Sequence, residues 1–179
     1  MKQQFKTAIF AGGCFWCTEA VFSRIEGVKE VISGYTGGFI KNPAYREVCE
    51  GTTGHAEGTK IIYDESKGSY KDLLEIFFAT HDPTTLNRQG NDVGTQYRSA
   101  IFYTDEQQKT ESEAFIALLE KEQAFDNPIV TEINKFNVFY NAEENHQDYY
   151  NNNKQQGYCQ VIINPKLKKL EKHYKDKLK

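Results

Sequence analysis

The sequence predicts an α+β fold: one domain over residues 1–179, with a mixed central β-sheet flanked by helices in a two-layer, ferredoxin-like sandwich. Three observations predict it. Strand-like and helix-like patterns are interspersed without a strict βαβα rhythm, which favours a mixed sheet with helices packed on it. A chain of 179 residues can bury one proper core but hardly two. No internal repeat, no low-complexity tract beyond Asn151-Asn152-Asn153 and no natural boundary divides it.

The elements follow in order. Phe5 to Ala11 reads as a strand, broken by Gly12-Gly13. A helix is expected from Cys14, because Cys17, Ala20, Val21 and Ile25 fall on one face at helical spacing. Val28 to Tyr35 reads as a strand closed by the loop signal Thr36-Gly37-Gly38, and residues 36–56 read as loop. Gly58 to Tyr63 reads as a strand. Tyr70, Leu73, Leu74, Phe77 and Phe78 form one apolar helical stripe. Residues 81–98 are polar and irregular, a loop long enough to suggest function. Ser99 to Tyr103 reads as a strand, and Thr104 is the expected cap of a helix carrying Ala114, Phe115, Leu118 and Leu119. Residues 129–140 are β-rich, and a last helix is expected from Pro165, through Leu167, Leu170, Tyr174 and Leu178.

Composition narrows the function. Charged residues make up 26% and the formal net charge is −3, so neither nucleic acid nor an anionic membrane is an expected partner. Lysines 166, 168, 169, 172, 175, 177 and 179 read as a solvated face with favourable charge near a helix C-terminus. Met1-Lys2-Gln3-Gln4 begins no apolar leader and no stretch has the length of a membrane span, so a cytoplasmic location is expected, with a monomer as the default. Without an export signal the four cysteines are expected as thiols.

The sharpest feature is Gly12-Gly13-Cys14-Phe15-Trp16-Cys17. A strand ends, two glycines turn the chain, and a thiol stands where a helix begins. Free N–H groups and the positive helix end favour a thiolate there, so a lowered pKa and a nucleophilic role are expected for Cys14. Cys17 is its i+3 neighbour. The Cβ separation of such a pair is about 5–6 Å, against about 3.5–4.5 Å in a disulfide, so a bond requires distortion and suits a redox couple better than a staple. Other readings stay open. Both cysteines can be small buried hydrophobes. A zinc site from Cys14, Cys17, Cys49 and Cys159 has only one C-x-x-C where two close pairs are usual. A thioredoxin-like exchanger would carry the pair on a more permissive surface than Phe15-Trp16.

Gly13-Cys14-Phe15-Trp16-Cys17-Thr18-Glu19 resembles the active-site motif of the peptide methionine sulfoxide reductase A family. The resemblance continues through Gly34-Tyr35-Thr36-Gly37-Gly38, Pro43-Ala44-Tyr45-Arg46-Glu47-Val48-Cys49, Thr53-Gly54-His55-Ala56-Glu57, His81-Asp82-Pro83-Thr84 and residues Gln89 to Ser99, in the family's order. It implies a mixed α+β fold and reduction of the S-epimer of methionine sulfoxide, free or in proteins, as repair under oxidative stress. It implies Cys14 as nucleophile, Phe15 and Trp16 as walls around the substrate methyl group, and Glu57 as the acid. Tyr45, Asp92 and Tyr97 would surround the sulfoxide oxygen. Many members have Gly where this chain has Cys17, and this chain is similar to the subgroup that resolves locally. Cys17 is therefore the expected resolving thiol, Cys159 a second recycling candidate, and Cys49 non-catalytic. No metal and no bound cofactor are expected; thioredoxin, or dithiothreitol in vitro, is the expected reductant.

The chemistry asks for such residues. A sulfoxide sulfur becomes electrophilic when its oxygen is protonated, so a thiolate must attack while an acid delivers a proton. Glu57 suits that role if burial keeps it neutral near pH 7. Alone, Glu57 reads as a surface carboxylate, Tyr45 and Tyr97 as packing residues and Asp92 as a turn residue. His55, His81 and His146 are scattered, and read as hydrogen-bonded or exposed rather than as ligands or bases.

Overall fold

A computed structural model of the chain describes residues 4–179. Met1–Gln3, part of the N-terminal stretch read above, lie outside the described residues. The elements are β1 (Phe5–Gly12), α1 (Phe15–Phe22), β2 (Val28–Thr36), α2 (Tyr45–Cys49), β3 (Ala56–Asp64), α3 (Tyr70–Thr80), β4 (Arg88–Gln89), β5 (Asp92–Val93), β6 (Ser99–Tyr103), α4 (Glu106–Lys121), β7 (Glu132–Lys135), β8 (Phe139–Asn141), α5 (Tyr149–Asn152) and α6 (Asn164–Tyr174). The six-stranded sheet has the order β7-β6-β1-β3-β2-β8, with β4 and β5 forming a separate hairpin. Its four central strands, β6-β1-β3-β2, are antiparallel neighbours and belong to two β-α-β units. Only β6 and β7 run parallel, which makes the sheet mixed. The expected α+β class and flanking helices are therefore found.

Strand alternation explains the layers. Along β1, Ala8 and Phe10 point into the main core, with Phe22, Tyr70, Leu74 and Phe77 from the helical layer. Ile9 and Ala11 point to the other face, where Ala56, Ala100 and Phe102 are covered by Phe136 and Phe139. In β3 the same alternation sets Glu57 on the core face, two and four residues before Thr59 and Ile61, and opposite Tyr35 of β2.

Several local expectations need correction. The first helix stops at Phe22; Ile25 lies beyond it, buried and bridged to Leu178, because the chain turns at Gly27 (φ +90) into β2. Asp105, not Thr104, caps α4: its Oδ1 accepts the Gln108 N–H at 2.8 Å, while Thr104 donates its own N–H to the Gln108 side chain. The loop 36–56 contains α2, and the loop 81–98 contains the β4–β5 hairpin. The β-rich stretch 129–140 splits into β7 and β8 on opposite edges of the sheet. The last helix does begin with Pro165 in its first turn. Lys166, however, stands half-buried at that N-terminal turn rather than on a solvated face near the C-terminus. Among the described residues no helix is long and apolar enough to cross a membrane.

Candidate active site

The site grows from the end of β1. Gly13 has φ +94, where a side chain costs about 1–2 kcal/mol. A Cβ there would also sit 2.7 Å from Gln89 Cγ. Gln89 in turn brackets the loop, accepting the Asp82 N–H at 2.8 Å and donating to the Asp82 carbonyl at 2.9 Å. The glycine turn thus lets the hairpin loop press against the start of α1. Cys14 is the N-cap of α1, 8% exposed.

The expected lowering of the Cys14 pKa is overturned. The Trp16 backbone N–H does act downward, as a helix N-terminus should. Burial is the larger influence, and the hydrogen bond with Cys17 and the Glu57 charge add to it, so the thiol is pushed well up. Cys17 moves the other way, to about 7. The hydrogen bond from Cys14 is the main cause; burial opposes it, Lys166 and Tyr158 help, and Asp92 opposes. The two sulfurs titrate as a pair: the first proton leaves readily, the second with difficulty.

Glu57 is 1% exposed. Its Oε1 accepts the Phe15 N–H at 3.2 Å, while Oε2 is buried with no hydrogen-bond partner among the described residues. Burial raises its pKa to about 8 against that N–H, and Asp92 and Cys17 add to the rise. The expectation of a carboxyl kept neutral by burial is thus met. An ionised Glu57 would push up Cys14, Tyr35, Tyr45 and Tyr97, so these four groups share its surroundings.

Tyr45 starts α2 and Tyr97 ends a 3₁₀ turn before β6; both are half-buried. Gln96 joins their segments by donating to the Cys49 carbonyl at 3.1 Å. Half-buried Cys49 lies beside the Tyr45 hydroxyl. Asp92, on β5, accepts a 2.7 Å hydrogen bond from the Tyr158 hydroxyl, which also lies 3.6 Å from Cys17 Sγ. Asp92 therefore faces the cysteine pair through Tyr158.

Phe15 is fully buried, its ring against Tyr35, Tyr45 and His146. Trp16 stacks on Tyr149 with centroids 3.7 Å apart and donates from Nε1 to His146 Nδ1 at 3.2 Å. Cys159 is fully buried in a π-helical turn; burial and the nearby Cys17 push its thiol up. All nine candidate residues therefore gather around one region.

Five neighbours have no role assigned from sequence. Tyr35 donates to Glu143 Oε1 at 2.8 Å, and Glu143 Oε2 accepts the Tyr45 N–H at 3.0 Å. His146, Tyr149 and Tyr158 surround Trp16. The dense polar and aromatic run Glu143–Tyr150 was the available signal for three of them. His146 is buried among aromatic rings rather than isolated, and burial lowers its pKa. His55 and His81 are hydrogen-bonded as expected: His55 to Gly38 and Ile40, His81 to Phe77 and Ser99. Among the described residues no group of three or more His, Cys, Asp or Glu is placed to hold a metal ion.

Known proteins resemble this chain in sequence and fold. A family model described as peptide methionine sulfoxide reductase matches residues 6–178. The chain is 56% identical over 172 residues to the peptide methionine sulfoxide reductase MsrA of Deinococcus radiodurans, spanning 96% of this chain and 84% of that protein. It is 52% identical over 174 residues to MsrA of Saccharolobus solfataricus, spanning 97% of each. Among solved structures, reduced Mxr1 from Saccharomyces cerevisiae superposes with TM-score 0.79 at 34% identity, over 87% of this chain and 90% of that one. Methionine sulfoxide reductase A of Corynebacterium diphtheriae superposes with TM-score 0.76 at 33% identity, over 85% and 76%.

Proposed function

The chain belongs to the peptide methionine sulfoxide reductase family and is a thiol-dependent reductase of methionine sulfoxide, and we propose that Cys14, Glu57 and Cys17 carry its cycle. The observation that carries this assignment is Glu57: a buried carboxyl with a pKa near 8 and a free Oε2, among Cys14, Tyr45 and Tyr97.

The substrate is the S-epimer of methionine sulfoxide, free or in proteins, with its methyl group against Phe15 and Trp16. After the pair loses one proton, the Cys17 sulfur takes up the Cys14 proton and Cys14 becomes the nucleophile. Its sulfur attacks the substrate sulfur while Glu57 gives its proton to the oxygen. The hydroxyls of Tyr45 and Tyr97, whose pKa values burial pushes up, stay protonated and donate to that oxygen. Asp92 acts on the pair through Tyr158. The hydroxyl then passes from the substrate sulfur to the Cys14 sulfur: the new S–S bond and the substrate S–O bond break, methionine leaves carrying the two electrons Cys14 gave, and Cys14 is left as a sulfenic acid.

Cys17 then attacks Cys14. The S–O bond breaks, the oxygen leaves with a proton as water, and a disulfide remains. A dithiol restores both thiols by exchange and is itself oxidised to a disulfide. We assign that role to thioredoxin, with dithiothreitol sufficing in vitro, and place the cycle in a cytoplasmic monomer acting as one catalytic domain without a bound cofactor. Cys159 is a reserve for recycling.

Two measurements test this. With dithiothreitol, the native chain should turn over the S form only, and Cys14→Ser should abolish turnover. Cys17→Ser should still release one methionine per enzyme but lose thioredoxin-driven turnover. Intact thioredoxin-driven rates in that variant would overturn local resolution.

A further inference from the structure

Behind the cysteine pair lies a small cavity of about 10 Å³, at most one water in size, lined by Gly12, Cys17, Thr18, Val21, Phe77, Thr80, His81 and Lys166. Lys166 is the only lysine on it. Three facts make its presence there unusual. It occupies the first turn of α6, where the helix dipole disfavours a cation. It is half-buried. It forms no salt bridge among the described residues, whereas Lys177 near the other end of the same segment pairs with both Asp72 and Glu75. At this helix N-terminus Lys166 thus has no salt-bridge partner among the described residues, not even Glu75, Asp82 or Asp126, which border an open cleft with it, and Cys17 lines the small cavity beside it.

We propose that Lys166 is a positioning residue for the resolving step: it is the counter-ion that holds Cys17 as a thiolate while it attacks the oxidised Cys14. The inference rests on Cys17 being the resolving thiol.

The other groups facing Cys17 do not supply that charge. Cys14, Asp92, Glu57 and Cys159 are neutral or negative. Tyr158 has one proton, and its shorter bond, 2.7 Å, goes to Asp92 rather than to the sulfur at 3.6 Å. His81 lines the same cavity, but burial holds its pKa near 4, so it is neutral at physiological pH. While Cys14 is a thiol, its hydrogen bond supports the Cys17 thiolate. Once Cys14 is a sulfenic acid that S–H donor is gone, and Lys166 becomes the chief remaining support when the thiolate must attack. The step forms the Cys14–Cys17 S–S bond and breaks the Cys14 S–O bond; the oxygen departs as water after taking up a proton, and no further oxidant or reductant enters.

The test is stopped-flow mixing of reduced enzyme with one equivalent of methionine sulfoxide. Released methionine reads the first step, and quenched thiol counts with peptide mapping read the disulfide. Lys166→Met should slow the methionine burst less than disulfide formation, because the Cys14 hydrogen bond still supports ionisation of the pair in the first step. It should slow disulfide formation about fivefold at pH 7, moving the pH profile of that step up by about one unit. Lys166→Arg, which keeps the charge, should restore both rate and profile. An unchanged profile in Lys166→Met, or an Arg variant as slow as Met, would overturn the proposal. Equal slowing of both steps would mean only a packing role and would also overturn it. If the native chain's disulfide maps to a pair other than Cys14 and Cys17, the reading beneath the proposal fails first, and that is visible without any variant.

Discussion

In the proposed cycle Glu57 can serve as the acid because of where β3 begins. A carboxyl in water is ionised at neutral pH and donates nothing. On the core face of a strand, 1% exposed, it keeps its proton to about pH 8, and its free Oε2 is a donor or acceptor without a protein partner. Glu57→Gln keeps size and the Phe15 contact but cannot transfer a proton. Single-turnover methionine release should fall about 10²-fold or more, within the usual range for general acids, with little change in KM. A variant still within tenfold of the native rate would remove Glu57 from the acid role. Cys14 makes the complementary point. A helix N-terminus is weaker than burial here, so the proposed nucleophile would depend on sharing a proton with Cys17 rather than on the dipole alone.

Two elements hold the site closed. The Gly12-Gly13 turn brings α1 and the hairpin loop together. Gly13→Ala meets both a positive φ and Gln89, so it should cost about 1–3 kcal/mol in urea unfolding. Gly157→Ala, where a Cβ meets nothing within 4 Å, should stay within about 0.5 kcal/mol. The segment around α5 forms the second closure. Tyr149 stacks on Trp16, and its N–H is received by buried Glu19 at 3.3 Å. Trp16 is the chain's one tryptophan, so fluorescence reads this contact directly. Tyr149→Ala should shift its emission to the red. An unmoved spectrum would show that Tyr149 does not cover the indole in solution.

At the scale of the whole molecule, the buried carboxyls oppose stability as pH rises. Glu57 titrates near 4.5 unfolded and near 8 folded, so the unfolded chain loses this proton first and stability falls as pH rises across that window. Glu19, raised to about 7 by burial, adds to the same slope. His81 acts at the other end: lowered to about 4, it destabilises the fold as pH drops below 6.5. Cys17, lowered to about 7, adds stability as pH rises above that value. Comparing native protein with Glu57→Gln cancels Glu19 and His81 and leaves Glu57 with its coupling to the cysteine pair. Between pH 6.5 and 8 the stability difference should move in the variant's favour by about 2 kcal/mol. Denaturant titrations at the two pH values check it, and a constant difference would mean that Glu57 is ionised in the fold.

The sequence by itself determined the α+β class, the central strands, the long helices and the cysteine turn. Those features are local: period-two and period-3.6 patterns, glycine punctuation and the i,i+3 spacing of Cys14 and Cys17 are set by neighbours along the chain. The resemblance in motif order supplied Glu57, Tyr45, Asp92 and Tyr97, which no spacing connects. Only the tertiary structure decided the rest. It divided residues 129–140 between two sheet edges, seated Tyr149 on Trp16, set Tyr158 between Asp92 and Cys17, and faced Lys166 toward the same cavity as Cys17. It also turned the expected lowering of the Cys14 pKa into a rise. Burial and charge depend on which distant segments converge on an atom, and those distances are fixed when the chain closes into its sheet and helical layers.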